Sequence, residues 1–169
     1  AMTQFLGFSN YGDEYKVMGL APYGKPTFMR EMHEILFTNK NGEYSLNLNV
    51  FRHHNEKITY EWHKGSPKVG KLFNSKIEKI FKIPARNKSE ALSQNYLDLA
   101  RSTQAMYEKV FFNLLNVVYK KYKISNLTLS GGCAMNSVAN GKVFRNSPFK
   151  KLYIPPAAGD AGGAIGSAY

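Results

Sequence analysis

The sequence predicts an α/β fold with parallel strand pairing, and three stretches near its end carry that expectation. NLTLS, from Asn126 to Ser130, reads as a short buried strand that runs into two glycines and then a helix. KKLYIP, from Lys150 to Pro155, reads as a second strand, and the small-residue run AAGDAGGAIGSA after it as a second turn and helix. Strand, helix, strand, helix with short links is the pattern of an α/β layer whose strands run parallel.

The elements before them follow in order. FLGFSNYGDEYKVMGLAPYGKP, from Phe5 to Pro26, holds four glycines and two prolines around a short amphipathic core, which predicts loop, brief helix, loop. Pro26 suits the first turn of a helix reaching about Phe37, with Phe28, Met29, Met32, Ile35 and Leu36 as its apolar stripe. Asn41 and Gly42 make a turn, and EYSLNLNVF alternates apolar with polar as a half-buried strand does. The longest helical signal begins near Ser89, a suitable N-cap, with Glu90 in the first turn where the helix dipole favours a carboxylate. Leu92, Tyr96, Leu99, Thr103, Met106, Val110, Leu114 and Val117 lie three or four apart. That spacing predicts a helix to about Tyr122, roughly 45 to 50 Å long at 1.5 Å per residue.

Composition bounds the class. A chain of 169 residues with 43% hydrophobic content is expected to form one domain, spanning 1–169, with a real core. No apolar run approaches the roughly 18 to 20 residues of a membrane span, and the start lacks the basic-then-apolar layout of a signal peptide, so a cytoplasmic setting and no membrane partner are expected. Cys133 is the single cysteine, which excludes an internal disulfide and a cysteine-cluster zinc site and agrees with a reducing compartment. The net charge is +11 and uneven: Arg52 to Lys88 holds ten Lys/Arg against three Glu, net +7 in about a fifth of the chain. That segment mixes aromatic residues with lysines and carries His53, His54 and His63. No recognised nucleic-acid motif accompanies it, so a solvated basic face is expected and nucleic acid is not an expected partner; a basic polyanion-binding module is the alternative. His53 and His54 are adjacent, point apart on helix or strand, and make a weak metal pair.

Four motifs bear on chemistry. GLAPYGKP, from Gly19 to Pro26, nearly matches the phosphate loop G-x-x-x-x-G-K-[ST], but Pro26 stands where the magnesium-binding hydroxyl belongs and no strand precedes it. It therefore reads as an ordinary Gly/Pro loop. Within GDEYKVMGLAPYG, Glu14 is suited to ribose hydroxyls and Lys16 to a phosphate, against the competing reading of a solvated loop. SGGCAMN supplies a strand end, a tight turn at Gly131 and Gly132, and a helix whose unpaired amides face an anion. Those amides would also activate the Cys133 thiol. Yet no histidine lies near it in sequence, so Cys133 is expected to be a small buried packing residue, with a cysteine-dependent transferase as the rival. GDAGGAIGSA places Asp160 in a glycine turn after a strand, where α/β proteins put metal or phosphate contacts; a buried helix packed by glycines is the competing reading.

Taken together, EYKVMGLAPYG, LSGGCAMNSVANGK and PPAAGDAGGAIGSA, in this order, resemble the carbamoyltransferase family that includes nodulation and antibiotic-tailoring enzymes. The three motifs span Glu14 to Ala168, nearly the whole chain. The resemblance implies the C-terminal half of an actin-like, ribonuclease H-like ATPase-type domain with a mixed sheet and packed helices. It implies an activity in which carbamoyl phosphate and ATP give carbamoyl-adenylate, whose carbamoyl group passes to a hydroxyl-bearing small molecule. On the same match, Gly131, Gly132 and Asn136 line the nucleotide or carbamoyl-adenylate cleft, Glu14 and Lys16 belong to its opposite wall, and Cys133 has no catalytic role. Asp160 matches the family's metal-binding aspartate, the metal being divalent, iron or magnesium. The family's H-x-x-x-H metal motif is absent here, which implies that the chain is the later portion of the carbamoyltransferase N-terminal domain. The missing halves of the full-length protein are then its partners, and the chain alone is expected to be inactive.

Overall fold

A computed structural model describes residues 1–62 and 64–169; His63 lies outside the described residues. Fourteen helices and strands follow one another among the described residues. These are α1 (Met2–Phe5), α2 (Glu14–Leu20), α3 (Met29–Ile35), β1 (Leu36–Thr38), β2 (Tyr44–Leu46), β3 (Tyr60–Glu61), β4 (Lys68–Val69) and α4 (Lys76–Phe81). Then come α5 (Gln94–Tyr122), β5 (Asn126–Thr128), α6 (Ser137–Asn140), α7 (Val143–Asn146), β6 (Lys151–Tyr153) and α8 (Gly162–Ala168), with 3-10 turns at Ala21–Tyr23 and Gly132–Met135. The strands form three two-stranded sheets among the described residues: antiparallel β1–β2 and β3–β4, and parallel β5–β6. The architecture is thus a mixed α/β fold of helices and small sheets, with parallel pairing where the sequence placed it.

Two compact units divide the chain, one formed by 1–39 and 44–107, the other by 40–43 and 108–169. The first is built on buried Phe5, Leu6, Met32, Ile77, Phe81 and Leu99. Phe5 meets Phe73 and Phe81 with ring centroids 5.6 Å from each, so one aromatic side chain holds two segments distant in sequence. Each fully buried side chain of this size contributes about 1.5 to 3 kcal/mol relative to exposure. The second unit packs Phe112 and Leu115 of α5 against Val143 and Phe149, with Leu127, Leu129 and Leu152 brought in from the β5 and β6 segments.

Within the first unit, Asp98 of α5 fixes the Gly19–Pro26 loop. Its carboxylate accepts from the Lys25 amide at 2.8 Å, the Gln94 Nε2 at 2.7 Å and the Thr27 hydroxyl at 3.3 Å. The Ser102 hydroxyl accepts from the Phe28 amide at 3.0 Å. Gly24 presses so close to α5 that an added Cβ would lie 2.0 Å from the Leu97 carbonyl oxygen. The near match to a phosphate loop is therefore a clamp: the Lys25 amide is bound to the protein's own carboxylate.

Several elements differ from the sequence reading, each for a local reason. The helix expected from Pro26 begins at Met29, because the loop before it is tied to Asp98 and Ser102, and it ends at Ile35 because Leu36 pairs with Leu46. The strand expected over EYSLNLNVF stops at Leu46, where Asn47 accepts from the Asn49 amide and bends the chain. The long helix starts at Gln94 and not near Ser89. Residues before it wrap Arg86 instead, whose guanidinium donates to the carbonyls of Leu6, Asn87 and Glu90 at 2.9, 3.1 and 2.7 Å. Carbonyls committed to a guanidinium cannot run up a helix. Leu92 and Leu114 of the expected stripe are exposed, while Leu99 and Met106 are buried as expected. The flanks of β5 are also exposed: only Leu127, between Asn126 and Thr128, turns inward. The glycine-rich α8 buries none of its residues, so the reading of a buried, glycine-packed helix does not hold.

The clamp generates a stability test. The hydrogen bond from the Lys25 amide, followed by those from Gln94 and Thr27, holds the Asp98 carboxyl below the ordinary carboxylate range. A carboxylate with a depressed folded pKa stabilises above its unfolded value near 4 and loses that contribution as pH falls through the folded value. Asp98→Ala is expected to cost about 2 to 3 kcal/mol in urea unfolding at pH 7, with the deficit shrinking below about pH 4. An unchanged midpoint at pH 7 would rule out the clamp.

Candidate functional site

Two turns make the candidate site, one leaving β5 and one leaving β6. The strands pair in parallel with Asn126, Leu127 and Thr128 opposite Lys151, Leu152 and Tyr153. The ladder does not stop where the strands do. The Leu129 amide donates to the Tyr153 carbonyl at 3.0 Å, and the Gly131 amide donates to the Ala158 carbonyl at 2.7 Å. The Gly131–Gly132 turn and the Gly159–Asp160 turn are thereby held side by side at the carboxyl ends of parallel strands. That is where open α/β sheets bind ligands.

Gly131 takes φ +87° and ψ 170°, a region that side chains disfavour, and from there the chain enters the Gly132–Met135 turn. Asn136 breaks that turn from α6 and caps it, its Oδ1 accepting from the Ala139 amide at 3.0 Å. Asn140 secures the turn from the other side, donating through Nδ2 to the Ala134 carbonyl at 2.7 Å. On the second turn, Gly162 is needed because an added Cβ would lie 2.3 Å from the Ala157 oxygen. Gly159 faces the sulfur of Met135, which an added Cβ would approach to 3.0 Å, so the two turns also meet through a side chain.

The structure thus brings Gly131, Gly132, Asn136 and Asp160 into one unit, on adjacent turns. Glu14 and Lys16 lie in the other unit, at the start of α2. Glu14 is exposed. Lys16 is engaged by the buried Asp13 at 2.6 Å, and its ammonium lies 5.5 Å from the Phe8 ring centre. The hydrogen bond to Asp13 holds Lys16 above the ordinary lysine range, so it stays charged through neutral pH. One expectation at this site fails outright: Cys133 is exposed and is not a buried packing residue. The helix expected directly after Gly132 is a 3-10 turn followed by the four-residue α6. No three His, Cys, Asp or Glu side chains gather to hold a metal among the described residues, and Asp160 offers a single exposed carboxylate.

Sequence reasoning missed the Ala158 carbonyl and Asp98. Nothing about an alanine in a small-residue run signals that its carbonyl ties two turns together. Asp98 had a signal: an acid one residue before Leu99, in the most buried stretch of the long helix, needs donors to stay there.

The match to known families decides what these turns belong to. Residues 1–169 match the family described as carbamoyltransferase N-terminus. The chain belongs to the carbamoyltransferase N-terminus family. It is 33% identical to the nodulation protein NolNO of Sinorhizobium fredii over 98% of its own length and 21% of that protein's. It is 31% identical to the nodulation protein NolO of Bradyrhizobium diazoefficiens, over 98% of the chain and 26% of the relative. An uncharacterised Synechocystis protein, sll1178, is 39% identical over 99% of the chain and 25% of its own length. The chain therefore spans about a fifth to a quarter of the length of these relatives.

The two glycines of the carbamoyltransferase turn are not equivalent, and this separates backbone strain from crowding. A Cβ at either Gly131 or Gly132 meets open space, but only Gly131 has a positive φ. Gly131→Ala is expected to cost about 1 to 3 kcal/mol in urea unfolding and Gly132→Ala under about 0.5. Equal costs would contradict this turn geometry.

Proposed function

We propose that residues 1–169 are the later portion of the N-terminal domain of an ATP-dependent carbamoyltransferase, actin-like in fold. The enzyme takes a carbamoyl group from carbamoyl phosphate, through carbamoyl-adenylate formed with ATP, to a hydroxyl of a small-molecule acceptor. The observation that carries this reading is the pair of glycine turns tied together beyond the ends of parallel strands, in a chain that matches the carbamoyltransferase N-terminus family throughout. Backbone amides turned outward at such a place favour a phosphate.

Each residue then has a bounded role. The Gly131 amide is committed to Ala158, so the amide offered to the adenylate's phosphate is that of Gly132. Asn136, whose side-chain oxygen caps α6, borders this turn and is assigned to the nucleotide cleft by the family resemblance. Glu14 and Lys16 belong to the other unit and are assigned to the nucleotide by the family resemblance alone, Glu14 to ribose hydroxyls and Lys16, kept cationic by Asp13, to phosphate. In the transfer step the acceptor oxygen bonds to the carbamoyl carbon, the bond from that carbon to the adenylate oxygen breaks, AMP leaves, and the hydroxyl proton passes to solvent or a base elsewhere in the protein. The chain's contribution is to hold the phosphate still and solvate its charge with fixed dipoles.

A divalent metal, iron or magnesium, fits Asp160 only with further ligands from other portions of the full-length protein. When bound it would add positive charge at the phosphate. Asp160→Ala in the full-length protein is expected to lower bound metal and to slow carbamoyl transfer by about a hundredfold or more. Wild-type metal content and rate would remove Asp160 from the site. The exposure of Cys133 makes a thiol nucleophile the competing mechanism. With direct transfer from the adenylate, Cys133→Ser keeps turnover within about twofold, since no covalent enzyme intermediate is formed. Abolished turnover with intact nucleotide binding would instead make Cys133 the nucleophile.

A further inference from the structure

The first unit carries a second surface that the carbamoyl chemistry does not use. Tyr11, Tyr60 and Trp62 are 55%, 51% and 69% exposed. Their rings nevertheless touch in series: Tyr11 to Tyr60 at 6.4 Å, edge to face, and Tyr60 to Trp62 at 6.4 Å, nearly parallel at 28°. Three large aromatic rings left in contact with one another and with water form an apolar patch of the kind that marks a binding site. The patch is held rigidly. Tyr60 belongs to β3, paired with β4, and the Tyr11 amide donates to the Pro67 carbonyl at 2.8 Å, while Asn10 bridges to Lys68 and the Val69 amide reaches the Ser9 carbonyl at 3.2 Å.

Charge narrows what the patch receives. Lys57 and Lys64 stand exposed on the same hairpin region, within the segment of net +7; Lys68 lies opposite Glu61 on the other face of the hairpin, and Arg52 is already paired with Glu56. Solvated lysines alone make a basic face; rings stacked among them make more. Flat stacking surfaces beside cations fit a chain of flat bases joined by phosphates. We propose that Tyr11, Tyr60 and Trp62 form a stacking platform for single-stranded nucleic acid, with Lys57 and Lys64 meeting its phosphates. Base stacking on exposed aromatic residues with lysines on the backbone is sequence-tolerant and salt-dependent. A duplex, its bases already stacked, gains nothing from the rings.

The test is fluorescence anisotropy of a labelled 20-nucleotide oligo(dT) with the full-length protein, titrated at several salt concentrations. Binding is expected at low salt, weakening as salt rises, and weaker for a duplex of the same length. Trp62→Ala is expected to weaken it by about tenfold at every salt concentration without changing the salt slope. The double variant Lys57→Gln, Lys64→Gln is expected to flatten the slope. Tyr60→Ala provides a second stacking variant. Absence of binding at low salt, equal affinity of the aromatic variants and wild type, or displacement by an uncharged oligosaccharide would each overturn the proposal, the last in favour of a sugar platform.

Discussion

The interaction on which the candidate site depends is the backbone bond from the Gly131 amide to the Ala158 carbonyl. Parallel pairing of β5 with β6 aligns the two strands, but three residue pairs end well short of the turns that matter. The bond at 2.7 Å carries the alignment past the strand ends and sets the two glycine turns side by side. Gly131 can make it because it adopts a φ of +87°, which turns the chain toward the 3-10 segment without a side chain to resist. The glycine pair is thus two devices: Gly131 for backbone shape and Gly132 for approach.

A comparable constraint organises the other unit, where one carboxylate replaces one backbone bond. Asp98 gathers a backbone amide and a hydroxyl from the two residues flanking Pro26 and a side-chain amide from its own helix. Lys16 follows the same logic on a smaller scale, with Asp13 keeping its ammonium charged and placed. In both places an acid is occupied in holding the main chain or a neighbouring cation. The resemblance of GLAPYGKP to a phosphate loop has the same explanation, since its close turn serves contact with Leu97.

What was legible in the sequence was what periodicity and turn chemistry control: the parallel pair, the long helix, the glycine turns, and the family to which they belong. That the Gly131–Gly132 and Gly159–Asp160 turns would be neighbours was legible because each follows one strand of the parallel pair. What was not legible came from contacts between distant residues. Arg86 collects carbonyls from Leu6 and from Asn87 to Glu90, and so the helix loses its expected start. Asn47 ends β2 with a side-chain bond that competes with the ladder. Cys133 was expected inside because a lone cysteine is usually small packing, but the 3-10 turn after Gly132 buries Ala134 and leaves Cys133 exposed. A shift from helix to 3-10 changes which residues face the core, and no spacing argument on a four-residue turn decides between them.

The central claim is that the two tied turns form the phosphate side of a nucleotide site, and backbone hydrogen exchange of the full-length protein, with and without ATP and carbamoyl phosphate, tests it most directly. The account predicts added protection in peptides covering 129–137 and 157–163, together and at the same ligand concentration. Protection elsewhere with both turns unchanged would contradict it.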